Sequence, residues 1–160
     1  MGLAEALTAR RSAVLERWFQ VVAATYPEGA ARLLAAVGDR FANPVGHTLR
    51  EGLERLYDGL VIDQAPSELR AAVDGIVRIR AVQEFTPSSA VGFVYSLRGI
   101  LREELAEAGL QAAEHTALER GVDRAALAAF DVYVQCREKI FEIRVREIKE
   151  SQLLASRLGS

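Results

Sequence analysis

From Asp123 to Leu158 the chain contains neither proline nor glycine. As one α-helix that stretch, roughly 36 residues, would be about 54 Å long. A compact domain of this chain's length is only about 40 Å across. A helix of that reach must overshoot its own domain or be broken. Its apolar residues form two adjacent stripes: Phe130, Val134, Phe141, Val145 and Ile148, and beside them Tyr133, Cys136, Ile140 and Ile143. So wide an apolar face suits a core or a partner helix. After Lys149 the pattern thins to Leu153, Leu154 and Leu158, and no sustained heptad supports a long coiled coil.

The rest of the chain reads as helices as well. Leu3 to Thr25 carries Leu7, Val14, Leu15, Trp18, Phe19 and Val22 at helical spacing. Tyr26-Pro27-Glu28-Gly29 breaks it, and a short helix is expected at about Ala30–Arg40. Asn43 can cap the next helix, with Pro44 at its first position, running to about Val61. Asp63 to Pro66 reads as a turn, and Ser67 as the cap of a helix reaching about Val82. Thr86 and Pro87 repeat the cap-then-proline pattern for a helix ending near Ala108 at Gly109. Residues 110–120 read as a short helix or helical loop, with Gly121 a break and Asp123 the cap of the last helix. The expected fold is therefore all-α: one domain, residues 1–160, of about six helices, with a long C-terminal helix over 123–158.

Chemistry is scarce. The chain has two histidines, His47 and His115, and one cysteine. A structural metal site usually needs four such ligands, so no metal is expected. No Gly-x-Ser-x-Gly turn places a nucleophile, and Cys136 lies within a helix, so no catalytic residue is assigned and no enzyme is expected. A globin's proximal histidine faces an apolar pocket from a helix late in the chain. Neither histidine fits that position, so no cofactor is expected, haem included. A net charge of −2 with interspersed signs argues against nucleic acid. No run of about 18 apolar residues is present, so no membrane insertion is expected. One cysteine forbids an intrachain disulfide and suits the reducing cytoplasm.

Two groups of residues leave room for a ligand. Gly52 and Gly59 share a face of one helix, as do Gly92 and Gly99 of another. Helix-interior glycine costs about 1 kcal/mol each against alanine. Close crossing of the 44–61 and 87–108 helices at these faces is the plain account. A small cavity between them, near His47, Arg80 and Tyr95, is the other. Arg80, beside the helix start at Thr86-Pro87-Ser88-Ser89, reads either as solvated or as the holder of an anion. Arg98 and Arg102 are expected to pair with acids such as Glu103.

Three stretches point to a family: Asn43-Pro44-Val45-Gly46-His47-Thr48-Leu49-Arg50-Glu51-Gly52, Ile79-Arg80-Ala81-Val82-Gln83-Glu84-Phe85-Thr86-Pro87-Ser88-Ser89-Ala90-Val91-Gly92-Phe93, and Cys136-Arg137-Glu138-Lys139-Ile140. The chain resembles the RsbRD-type N-terminal domain of RsbT co-antagonist proteins. In full-length proteins of that kind a variable N-terminal domain is joined by a helix to a STAS domain, which carries the phosphorylated residues and assembles the stressosome. The resemblance implies a helical, globin-like but haem-free, dimeric domain that receives a signal. No STAS domain is expected in this chain, so neither phosphorylation nor scaffolding is carried over.

The expected function is a non-enzymatic sensory-input or protein-interaction domain, a homodimer. The candidate partner face is Phe130, Val134, Phe141, Val145 and Ile148. The candidate ligand or interaction residues are Asn43, His47, Arg50, Arg80, Gln83, Thr86 and Tyr95. The alternatives are a small-ligand or haem-binding domain, and an adaptor docking on a larger redox or signalling complex.

Overall fold

A computed structural model describes residues 2–27, 30, 42–62, 64–83 and 85–159. Among these there are only helices and their connections: α1 (Leu3–Ala23), α2 (Pro44–Asp58), α3 (Pro66–Val82), α4 (Pro87–Glu104), a 3₁₀ turn (Ala106–Ala108) and α5 (Ala112–Leu158). The short helix expected at Ala30–Arg40 falls, except for Ala30, outside the described residues.

Three helices begin on proline, whose missing N–H would be unpaired there anyway. The Asn43 side chain accepts from the Gly46 N–H at 3.1 Å, and that of Thr86 from the Ser89 N–H at 3.3 Å. Ser67 does not cap α3. Ala65 holds the cap position and Pro66 the first helical one, so Ser67 is already inside the helix. The 3₁₀ turn ends at Gly109, whose φ of 66° is a left-handed conformation that glycine adopts without strain.

The larger correction concerns the last helix. It begins at Ala112, not Asp123, and passes through Gly121 without a break. Its start is set by Glu114, which accepts from the Gln111 N–H at 3.0 Å and from the Leu3 N–H at 2.7 Å. One carboxylate thus fixes the first turn of α5 to the first turn of α1. Gly121 serves packing: a β-carbon there would overlap the Leu60 carbonyl oxygen. Asp123 instead pairs with Arg98 of α4 at 2.7 Å.

The helices pack in a ring: α1 on α2, α2 on α3, α3 on α5, α5 on α4, and α4 back on α1. Inside it lie Val14, Trp18, Leu53, Ile76, Val77 and Leu97, none more than 1% exposed. The Trp18 indole N–H donates to the Phe93 carbonyl at 2.7 Å, satisfying its polar atom inside the core. Arg17 bonds Glu103 and Glu104, and Arg10 also bonds Glu104, joining α1 to α4. Arg98 reaches Glu119 and Asp123 and Arg102 reaches Glu119, so these two arginines do not pair with Glu103.

Candidate functional site

The most unusual side chain is Arg80, in the last turn of α3. It is 0% exposed. One terminal nitrogen donates to the Ser89 carbonyl at 2.9 Å and the other to the Thr25 hydroxyl at 2.8 Å. The Tyr26, Phe85 and Phe93 rings surround the guanidinium, their centroids 4.8 to 5.2 Å away. Among the described residues no carboxylate pairs with it and its Nε has no hydrogen-bond partner. The Tyr26 hydroxyl is also buried without one. Burial drives the guanidinium pKa down from its usual value, partly opposed by Tyr26. The solvated reading of Arg80 is therefore overturned. A buried cation without a counter-charge is expensive, and ring faces with two neutral acceptors offset only part of that.

Both acceptors line an open groove of about 480 Å³ between α1 and α4. Its apolar wall is Val21, Val22, Phe85 and Phe93, with Thr25 and Ser89 near Arg80 and Gln83 and Thr86 at the α4 N-terminal end. Gly92 lies on the same wall, and a β-carbon there would touch nothing within 4 Å.

The sequence-derived candidates therefore separate. Gln83 and Thr86 line the groove, and Arg80 lies buried behind two other lining residues, Thr25 and Ser89. Asn43, His47 and Arg50 lie at the start of α2. Asn43 is a helix cap, His47 is exposed and 3.5 Å from Glu51, and Arg50 stacks on Phe19 at 3.7 Å and faces Glu16. Tyr95 is 46% exposed beneath Arg98. None of His47, Arg80 and Tyr95, around which the alternative reading set a cavity, lines the groove. The crossing of the two glycine faces is not formed. Gly52 packs against Ile76 and the Ala72 carbonyl of α3, while Gly92 and Gly99 face open space. Thr25, Tyr26, Phe85 and Phe93 were missed as site residues. The cluster of Tyr26, Phe85 and Phe93 around one arginine was the signal available, but it is scattered along the sequence.

The Cys136-Arg137 stretch faces the same corner. Arg137 donates to the Ala81 carbonyl at 3.2 Å, and Tyr133 to the Phe85 carbonyl at 2.7 Å. Two side chains of α5 thus hold the chain immediately after Arg80. Cys136 is half-buried, and burial raises its thiol pKa, the opposite of activation. No group of three histidine, cysteine or acidic side chains among the described residues could hold a metal ion.

None of residues 134–158 is buried, and beyond Arg137 α5 leaves the bundle. Phe130, Phe141 and Ile148 are 47%, 68% and 58% exposed, and Val134 and Val145 are half-buried on the same stripe. The second stripe divides. Tyr133 belongs to the core, while Ile143 is exposed. No helix among the described residues is long and apolar enough to cross a membrane.

These features define an all-α domain with a groove over a buried cation and a projecting amphipathic helix. Residues 12–148 match the family described as RsbT co-antagonist protein rsbRD N-terminal domain, and the chain belongs to that family. An uncharacterized protein of Archaeoglobus fulgidus is 30% identical over 144 residues, which is 89% of this chain and 87% of that protein. No solved structure matches.

Proposed function

We propose that this protein is a non-enzymatic, cytoplasmic signal-input and interaction module that acts as a homodimer through α5. The observation that carries this reading is the stripe Phe130, Val134, Phe141, Val145 and Ile148, three of them exposed and two half-buried, on a helix that runs out of its own core. The helix past Tyr133 extends about 37 Å, enough for several layers of side chains against a second helix. A copy of the same chain offers an equivalent apolar face under two-fold symmetry. Membership in a family named for a regulatory protein supports the signalling half of the reading.

The Tyr133 and Arg137 hydrogen bonds give the bundle a hold on α5. A change at the corner after Arg80 would shift the helix that carries the partner face. The reading requires no cofactor. An adaptor docking on a larger complex would use the same stripe with a different partner. Sedimentation equilibrium separates the two: the homodimer predicts twice the 17.5 kDa chain mass, whereas a 17.5 kDa species at high micromolar concentration would remove self-association from the account.

A further inference from the structure

We propose that the groove between α1 and α4 is a binding site for a small monocarboxylate with an apolar body. The carboxylate lies at the start of α4 above Arg80, and the hydrocarbon runs along Val21, Val22 and Phe93. This goes beyond the interaction reading and does not rest on it.

Charge comes first. The two ends of the Arg80 guanidinium bond Thr25, just past the end of α1, and Ser89 on α4, so the cation lies buried behind two residues that line the groove. It lacks a carboxylate partner among the described residues, and an anion in the groove would supply one on the far side of Thr25 and Ser89.

Hydrogen bonding comes second. Thr86 Oγ1 donates to Ser89 Oγ at 2.9 Å, which leaves the Ser89 hydroxyl proton free for a ligand. The first turn of α4, an 18-residue helix, adds the positive end of its dipole, while the Ser89 and Ala90 N–H groups already bond Thr86. Gln83 brings an exposed amide to the same end.

Shape comes third. The groove volume of about 480 Å³ lies within the ordinary range for small-molecule sites. Gly92 keeps its wall open at a helix-interior position where alanine would fit sterically and favour the helix. A carboxylate with a hydrocarbon or aromatic body matches a wall of apolar side chains ending in donors. A phosphate or a bare inorganic anion would leave the apolar wall unfilled.

The test uses the full chain and decanoate, below its micelle concentration, with decanol as the uncharged control. Trp18, the only tryptophan, stacks on Phe93 with ring centroids 6.4 Å apart, so its fluorescence reports on the groove. Calorimetry gives the affinities. Decanoate is expected to bind saturably and about tenfold or more tighter than decanol, as a charge-assisted contact provides. Gly92→Leu puts a bulky side chain into the groove from a position whose β-carbon meets nothing within 4 Å, so it is expected to abolish binding while the melting temperature holds. Arg80→Met is expected to bring decanoate down to the affinity of decanol. If Arg80→Met does not fold, Ser89→Ala makes the same comparison, weakening decanoate several-fold and leaving decanol unchanged. Equal affinity for the two ligands, no saturable binding of decanoate, or undiminished binding by Gly92→Leu would each overturn the proposal.

Discussion

Two glycine-to-alanine substitutions in helices of the same bundle are expected to move stability in opposite directions. Both gain helix propensity of about 1 kcal/mol, since glycine is the poorest non-proline helix former. At Gly92 nothing opposes that gain, because the new methyl group meets no atom within 4 Å. Gly92→Ala should therefore stabilise by about 0.5–1 kcal/mol. At Gly121 the methyl group would overlap the Leu60 carbonyl oxygen and come within 3.1 Å of its carbonyl carbon. These are backbone atoms and cannot swing aside as a side-chain end can. Overpacking of this kind costs about 1–3 kcal/mol, and here the segment after α2 must separate from α5. The net loss for Gly121→Ala should be up to about 2 kcal/mol. Gly121→Ala should then melt below Gly92→Ala by up to about 10 °C, because a domain of this size moves about 2–4 °C per kcal/mol. Thermal and urea unfolding followed by circular dichroism and Trp18 fluorescence measures both. If Gly121→Ala is as stable as Gly92→Ala, the unbroken α5 against Leu60 is wrong, and a helix starting at Asp123 regains its standing.

Two pH dependences follow from buried or clamped groups. The Glu104 carboxyl is held below its usual range by Arg17 and then Arg10, and Glu114 by the N–H groups of Gln111 and Leu3. Depressed carboxyls contribute stability that is complete above the unfolded value of 4.5 and lost as pH falls below it. The melting temperature should decline below about pH 4.5, and Glu104→Gln should make that decline shallower; an unchanged slope would rule out the Arg17–Glu104 clamp as its source. Tyr57 behaves in the opposite sense. Burial pushes its pKa up to about 12 from 10, so its contribution is complete below pH 10 and lost as pH rises toward 12. Tyr57→Phe should remove that alkaline segment of the stability curve. At neutral pH it should cost about 1 kcal/mol for the lost bond to the Leu7 carbonyl, and an unaltered alkaline titration would refute the assignment.

The elements legible in the sequence were those determined by neighbouring residues. Asn43-Pro44 and Thr86-Pro87 declare helix starts because cap and proline act within one turn. The projecting helix was legible for the same reason, through its long proline-free run. What escaped depended on distant atoms. Gly121 looked like a break because the Leu60 carbonyl that requires it lies some sixty residues earlier. Gly52 and Gly92 looked like partners, yet one packs on α3 and the other faces a groove. Arg80 looked like a surface arginine because its burial depends on Tyr26, Phe85 and Phe93 folding around it. Periodicity reports which face of a helix is apolar. It carries no record of which neighbour covers that face, or of a cation enclosed among rings from other elements.

The central claim is that the exposed stripe of α5 meets its equivalent in a second copy. The direct measurement is oxidative cross-linking of Ile148→Cys in a Cys136→Ser background, with Glu150→Cys as a control off the stripe. Position 148 lies on the stripe and is 58% exposed, so a parallel helix pair would bring two such thiols close enough to join. The account predicts a covalent dimer at 148 that forms rapidly at low micromolar concentration and far more slowly at 150. Equal, slow cross-linking at both positions would mean that the stripe has no partner copy in solution, and the proposed role of α5 would fail with it.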